Sequence, residues 1–174
     1  VPITTSGMIW LKGPNIFPGY LGGPEIDRDI FVDGWLKTGD IGSADEFGFL
    51  KIEGRISRFS KIGGEMVPHE ALEAAIMNIW NLDPADEERR IAVVTIPDPV
   101  KGEAVALLTT LVTDYVHQAR TLIRHGLIDQ GLPALWCPKE IIPVERIPML
   151  PSGKLDIKQC RMLAYEALNI PFEP

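Results

Sequence analysis

Three short segments of this 174-residue chain contain residues whose types and spacing could do chemistry. The first is Thr38-Gly39-Asp40, which places an acid directly after a glycine at the expected end of a strand. An ionised carboxylate only accepts hydrogen bonds and can take two hydroxyl donors at once, which suits a cis-diol such as ribose. The alternative interpretation is a glycine turn with a capping aspartate.

The second segment runs from residue 54 to residue 65 and contains a regular series of cations, Arg55, Arg58 and Lys61, followed by Gly63-Gly64. A helix or a turn would present these cations together, and the glycine pair allows a close backbone approach or a tight hairpin. The functional interpretation is a hinge with phosphate- and ribose-directed cations at its edges. The alternative is a solvated linker.

The third segment, residues 148–154, ends in Ser152-Gly153-Lys154. The pattern predicts a lysine at the tip of a rigid loop, held between prolines and a following helix. Most loop lysines are solvent-exposed and have no specific role, so this segment alone does not decide between a functional and an incidental cation.

Composition and charge restrict the class of protein. The formal net charge is −7, from 17 Lys and Arg against 24 Asp and Glu. This acidic balance argues against nucleic acid or an anionic membrane face as the main partner. The sequence also lacks the run of roughly 20 apolar residues that a membrane span requires. Cys137 and Cys160 are expected to be reduced thiols, and the three histidines lack metal-ligand spacing, so no metal site is predicted.

Two regions that differ in glycine content and apolar pattern predict an α+β protein. Residues 1–56 alternate glycines with short apolar runs, which predicts a small all-β segment with a hairpin loop at residues 44–48. Residues 57–174 alternate strand and helix patterns and predict a compact domain with helices packed on a three-stranded sheet. The expected strands are 90–96, 104–112 and 140–144, and the expected helices begin at Pro68, Tyr115 and Ile157. The second helix is expected to end at His125, before Gly126.

Several motifs occur together, in one order, along nearly the whole chain. They are Gly13-Pro14, Gly19-Tyr20, Gly34-Trp35, Thr38-Gly39-Asp40, Gly54-Arg55 and Ser152-Gly153-Lys154. In this combination the chain resembles the C-terminal part of the adenylate-forming superfamily. The segment from residue 58 to residue 67 is further similar to bacterial acyl-[acyl-carrier-protein] synthetases of the 2-acylglycerophosphoethanolamine acyltransferase type.

The resemblance implies an ATP-dependent reaction in two steps. A carboxylic acid and ATP form an acyl-adenylate with release of pyrophosphate, and the acyl group then passes to a thiol. Lys154 matches the family's catalytic lysine, Asp40 with Thr38 and Gly39 matches its nucleotide-binding segment, and Arg55 matches the partner of that aspartate at the ribose. ATP and Mg²⁺ would be bound mainly by an N-terminal adenylation domain that this chain lacks. Residues 1–56 would be the last β subdomain of that domain, and residues 57–174 a mobile lid.

The resemblance also implies a rotation of the lid between the two steps. The hinge falls on Ser57, beside Arg58, where relatives usually carry Asp or Lys. A small residue can absorb the change in backbone angles, so we expect a hinge without a charged latch. Lys61 would act in the second step, and the loop of Gly63, Gly64 and Glu65 would then face the thiol tunnel.

Three functions remain open at this stage. The first is a fatty acyl ligase whose acceptor is the phosphopantetheine thiol of acyl carrier protein, feeding phospholipid acylation. The second uses free CoA instead, and the third is a non-catalytic module that binds a carrier protein. An acidic carrier needs a basic patch, and the sequence does not choose among the candidates Arg89-Arg90, Arg120, Arg124 and Lys139.

The beginning of the sequence, Val1-Pro2-Ile3-Thr4, indicates a cut into a longer protein. We therefore expect this chain alone to be inactive and to need the N-terminal domain, a fatty acid and a thiol acceptor as partners. The expected location is the cytoplasm, with contact to the cytoplasmic face of the inner membrane only through parts of the protein outside this chain.

Overall fold

The computed structural model describes residues 6–19, 29–83, 85–86, 88–111 and 116–171. The chain divides into two compact units, Val1–Ser57 and Arg58–Pro174. Tyr20 of the Gly19-Tyr20 motif, the last residue of the expected strand 104–112 and the first residue of the expected helix at Tyr115 lie outside the described residues.

The first unit contains a four-stranded antiparallel sheet built around one long strand. The strands are β1 (Gly7–Leu11), β2 (Phe31–Val32), β3 (Trp35–Ala44) and β4 (Leu50–Arg55). β3 pairs with β1 along one edge, and with β2 and then β4 along the other. The predicted hairpin loop is present, because Asp45 Oδ1 accepts the N–H groups of Phe47 and Phe49, at 3.0 and 2.9 Å, and Gly48 adopts a φ of 84°.

The second unit is a mixed sheet with helices on both faces. A 3-10 helix, Ile56–Arg58, leads into β5 (Phe59–Ile62), β6 (Glu65–Pro68), α1 (His69–Ile79), β7 (Ile91–Asp98), β8 (Gly102–Thr109), α2 (Val116–Asp129), a 3-10 helix (Ala134–Trp136), β9 (Glu140–Pro143) and α3 (Ile157–Ala167). The sheet order is β6-β5-β8-β7, and β9 pairs with β8 in parallel. The α+β class is confirmed.

The described sheet has five strands rather than the predicted three. β7, β8 and β9 are the predicted strands, and the hairpin β5–β6 adds two more. The hairpin forms because Gly63 and Gly64, between its strands, have φ values of 58° and 93°. Two successive residues with positive φ make a two-residue turn whose twist matches that of the strands. The solvated-linker interpretation of this segment is therefore wrong.

Both faces of the sheet are covered, which explains the continuous apolar runs in β7 and β8. Val93 and Leu107 pack with α1 and α2 in one core, whereas Val94 and Leu108 pack with Cys160 of α3 in the other. Successive strand residues point to opposite faces, so each strand supplies both cores.

The second helix differs from its predicted boundaries. α2 continues through Gly126 to Asp129, and its buried residues are Ile123 and Leu127. Gly126 does not end the helix; it lies against Ile79 of α1, whose Cγ1 would be only 2.6 Å from a Cβ at this position. A side chain there would collide, so the glycine permits the close approach of the two helices.

Candidate functional site

Asp40 and Arg55 face each other across β3 and β4 in the first unit. The two residues are register partners, and Arg55 Nε lies 2.9 Å from Asp40 Oδ1. Thr38 Oγ1 accepts the Asp40 N–H at 3.0 Å and donates to the Ile9 carbonyl at 2.9 Å, which fixes the backbone at the acid. The side chain of Asp40 is 27% exposed and that of Arg55 is 67% exposed, so both remain accessible to a ligand.

The backbone position next to Asp40 is uncrowded. Gly39 has a φ of 76°, and a Cβ at this position would meet no atom within 4 Å. The donor set, an acceptor-only carboxylate beside a guanidinium, is suited to a pair of vicinal hydroxyls. The residues that were predicted for ribose binding are therefore brought together in a form that fits a nucleoside.

Arg58, the first residue of the second unit, is 7% exposed. Its Nη2 lies 2.5 Å from Glu73 Oε2, and its Nη1 donates to the Val93 carbonyl at 3.1 Å. The prediction that the cations at 55, 58 and 61 are presented together is wrong. Arg58 instead ties the start of the second unit to α1 and β7, which argues against its assignment as a hinge residue beside Ser57.

Glu73 organises the polar network around Arg58. The Glu73 side chain is 4% exposed and also accepts Arg89 Nη2 at 2.6 Å and the Val93 N–H at 2.7 Å. Sequence reasoning missed this role of Glu73. The available signal was its position, because residues 69, 72, 73 and 76 share the inner face of the helix.

The β5–β6 hairpin carries the predicted thiol-facing loop and Lys61. The Lys61 N–H donates to the Glu103 carboxylate, and the Gly63 N–H donates to the Lys101 carbonyl at 3.2 Å. At the other side of the turn, Glu65 Oε1 accepts Trp136 Nε1 at 3.2 Å. Hydrogen bonds on both sides of the turn thus connect the hairpin to the rest of the second unit. The side chain of Lys61 is exposed.

Lys154 lies at the end of a braced turn between β9 and α3. The Leu150 N–H donates to the Lys154 carbonyl at 2.7 Å, the Gly153 N–H donates to the Leu150 carbonyl at 2.9 Å, and Gly153 has a φ of 78°. Asp156 then caps α3 by accepting the Gln159 N–H at 3.0 Å. The lysine is exposed on a rigid backbone, as the sequence predicted.

The histidine and cysteine side chains fit packing better than chemistry. His69 is buried beside Ser60, with Nε2 2.7 Å from Ser60 Oγ, and burial lowers its pKa to about 3. Burial also raises the pKa of the Cys160 thiol to about 12 and that of Cys137 to a smaller extent. Among the described residues, no group of three or more His, Cys, Asp or Glu could hold a metal ion.

Comparison with known proteins identifies the family of this chain. Residues 87–154, which end at the predicted catalytic lysine, match the AMP-binding enzyme C-terminal domain family. The 2-succinylbenzoate–CoA ligase of Listeria monocytogenes is 35% identical over 155 residues, covering 89% of this chain and 31% of the relative. The chain belongs to the adenylate-forming superfamily. Its fold agrees with this assignment: ATP-bound MatB from Rhodopseudomonas palustris aligns with a TM-score of 0.68 at 30% identity, over 97% of this chain and 32% of that one.

Relatives in this superfamily differ in acceptor. The fatty acid–[acyl-carrier-protein] ligase MmaC of Mycobacterium marinum is 28% identical over 157 residues, covering 88% of this chain and 28% of the relative. The chain therefore spans about a third of the length of the relatives it matches. None of the helices among the described residues is long and apolar enough to cross a membrane.

Proposed function

We propose that this chain is the C-terminal part of an ATP-dependent acid–thiol ligase that activates a fatty acid and transfers the acyl group to the phosphopantetheine thiol of acyl carrier protein. The observation that carries the proposal is Lys154, exposed at the end of a braced turn within the residues that match the family. A lysine is a compact cation on a long stem and suits a position between a substrate carboxylate and a phosphate oxygen.

Asp40 and Arg55 are proposed to hold the ribose of ATP. The carboxylate would accept the ribose hydroxyls, and the guanidinium would orient the carboxylate through their 2.9 Å contact. When it is bound, ATP supplies the phosphoryl centre that the fatty acid carboxylate attacks. Joining two anions makes charge stabilisation the main task of the protein, and Lys154 is proposed to meet it.

Ser57 is proposed as the hinge of a mobile lid that begins with the second unit. The chain divides into its two units between Ser57 and Arg58, which supports this position. Arg58 is held within the second unit by its buried contact with Glu73. Backbone rotation would then be restricted to the residues before Arg58. Lys61 and the Gly63–Glu65 loop are proposed to serve the thiol-transfer step.

An N-terminal adenylation domain is proposed to complete the active site and to bind most of ATP and Mg²⁺. The apolar exposure of the first unit supports such a partner, because Trp10, Trp35, Phe49 and Ile52 are 40%, 42%, 74% and 65% exposed. A large apolar patch on a protein surface marks an interaction site. The cytoplasm is the proposed location, and phospholipid acylation the proposed use of the product.

Free CoA is the second candidate acceptor, and a specific observation favours it. The relative with 35% identity is a CoA ligase, whereas the acyl carrier protein ligase shares 28% identity. The similarity of residues 58–67 to acyl carrier protein synthetases supports the first candidate. Thioester formation with each acceptor, measured on the full-length enzyme, distinguishes them.

The proposed role of Lys154 is tested by Lys154→Ala in the full-length enzyme. Loss of the cation should lower the rate of acyl-adenylate formation by about 100-fold or more, because the charge developing at the phosphate loses its partner. ATP–pyrophosphate exchange measures this rate. The matched control is Lys158→Ala, which removes an exposed lysine one turn away on α3. Unchanged exchange in Lys154→Ala would contradict the proposal.

A further inference from the structure

Four cations surround one shallow pocket of the second unit, although the whole chain has a net charge of −7. Lys101 comes from the turn between β7 and β8, Arg120 and Arg124 from α2, and Lys139 from the segment before β9. We call these four residues the α2 basic surface. The pocket they surround has a volume of about 420 Å³ and apolar walls that include Ile62 and Leu135.

We propose that the α2 basic surface docks the acidic face of the thiol-carrying protein that accepts the acyl group. This inference rests on the proposed function and names the partner surface that the sequence left open. The remaining candidate, Arg89-Arg90, is already occupied. Arg89 binds the buried Glu73, and Arg90 lies 3.2 Å from Asp86 and 3.1 Å from Glu88.

The α2 basic surface, in contrast, offers unpaired cations. The side chains of Lys101 and Arg124 have no hydrogen-bonding or ionic partner within the part of the chain that the structure describes. Arg120 donates to the carbonyls of Pro138 and Lys139, which orients its guanidinium. An exposed cation without an internal partner gains most from a carboxylate on another protein.

One ion pair inside the pocket decides which of its cations are free for a partner. Asp98 lines the pocket, its side chain is 11% exposed, and its Oδ2 lies 2.8 Å from Lys139 Nζ. Lys139 and the N–H groups of Lys101 and Val100 lower the pKa of Asp98 to about 2, so this carboxylate is charged at neutral pH. This ion pair neutralises Lys139, so the exposed Lys101 and Arg124 carry the free positive charge at the pocket. Carboxylates spread over a protein surface can pair with these two cations.

The location of the surface suits delivery of a thiol. The Lys101 carbonyl accepts the Gly63 N–H at 3.2 Å, so the turn that bears this lysine is hydrogen-bonded to the hairpin that is proposed to face the thiol. Ile62 of the same hairpin lines the pocket. A carrier protein held by the α2 basic surface therefore lies next to the loop where its prosthetic group is needed.

The test is charge reversal in the full-length ligase, with Arg124→Glu and the double variant Lys101→Glu/Arg124→Glu. Thioester formation is measured with holo-acyl carrier protein, with CoA and with uncharged pantetheine. The double variant should raise KM for the carrier protein by about tenfold or more and reduce the salt dependence of that KM. KM for pantetheine and the rate of ATP–pyrophosphate exchange should stay the same.

Arg146→Glu is the matched control, since it reverses the charge of another second-unit arginine outside the α2 basic surface; it should leave every constant unchanged. An unchanged KM for the carrier protein in the double variant would overturn the proposal. An equal rise of KM for CoA would also overturn it, because the surface would then bind phosphate. If the parent enzyme forms no acyl-adenylate, the proposed function itself fails, so the two failures are distinguishable.

Discussion

Glu73 is a buried carboxylate that accepts hydrogen bonds from several donors at once. Its oxygens accept Arg58, Arg89 and the Val93 N–H within 2.5–2.7 Å. Glu73→Gln removes the negative charge 2.5 Å from the buried Arg58 and leaves this cation only the exposed Glu70, 3.8 Å away. This loss should destabilise the second unit by about 3 kcal/mol. Native-state hydrogen exchange of the β7 amides measures the loss in that unit directly.

The matched control for this variant is Glu70→Gln on the same helix. Glu70 is 71% exposed and lies 3.8 Å from Arg58 Nε, so its removal should change the stability by less than about 0.5 kcal/mol. Equal effects of the two variants would show that burial of the Glu73 network contributes nothing.

His69 predicts an acid-dependent loss of stability. Its pKa in the folded protein is about 3, below the ordinary value of 6.5, because burial disfavours the charged ring and Arg58 repels it. As the pH falls through 6.5, the unfolded chain takes up the proton and the folded protein does not, so stability is lost between pH 6.5 and pH 3. Below pH 6.5 the free energy of unfolding should fall by up to about 1.4 kcal/mol per pH unit. Urea unfolding between pH 7.5 and pH 5 measures it.

His69→Gln removes the titrating group and should flatten this part of the pH profile. His125→Gln, which replaces an exposed ring on α2, should keep the profile of the parent chain. The interpretation fails if His69→Gln retains the full pH dependence.

At the scale of elements, the β5–β6 hairpin depends on a hydrogen bond from a distant segment. Trp136→Phe keeps most of the ring but removes the Nε1–H that donates to Glu65 Oε1 at 3.2 Å. A net hydrogen bond is worth about 1 kcal/mol, so exchange of the ladder amides of Glu65 and Val67 should accelerate about fivefold. Hydrogen exchange followed by NMR measures these amides individually.

Glu65→Ala tests the same contact from the other side, and Glu65→Gln retains an acceptor oxygen. The first should match Trp136→Phe, and the double variant should be no faster than either single one. Additive acceleration would mean that the two side chains act independently.

The elements also show how far sequence reasoning reaches. Local signals predicted the hairpin loop at residues 44–48, the strands β7 to β9 and the start of α3, because glycine positions and apolar periodicity depend on neighbouring residues. The end of α2 was wrong because the role of Gly126 depends on Ile79, which lies on another helix. A contact between distant residues leaves no local pattern.

At the scale of the whole molecule, the candidate site also combines features that local sequence predicts with features that depend on distant contacts. Lys154 on a rigid turn was predictable from its neighbouring prolines and glycine. The register of Asp40 opposite Arg55 depends on strand pairing, and the burial of Arg58 depends on Glu73. Spacing alone could not separate an exposed cation from a buried one, so Arg58 was grouped with Arg55 and Lys61.

The 174-residue chain alone should form no acyl-adenylate. Asp40, Arg55 and Lys154 are proposed to contact ribose and phosphate, and the apolar exposure of the first unit supports a requirement for further protein surface. ATP–pyrophosphate exchange by the purified chain should stay at background, and exchange above background would refute this prediction. The full-length enzyme, assayed in parallel, is the positive control.

The parallel pairing of β9 with β8 has a consequence for biosynthesis. α2 lies between β8 and β9 in the sequence, so β9 is translated only after this helix. Until Ile141 and Ile142 have been translated, Leu107 and Leu108 of β8 lack their parallel partners. A ribosome-bound chain that stops before β9 therefore exposes an unpaired edge of β8 that can pair with another chain. The second unit completes its sheet only after β9 has emerged from the exit tunnel, shortly before the segment with Lys154 emerges.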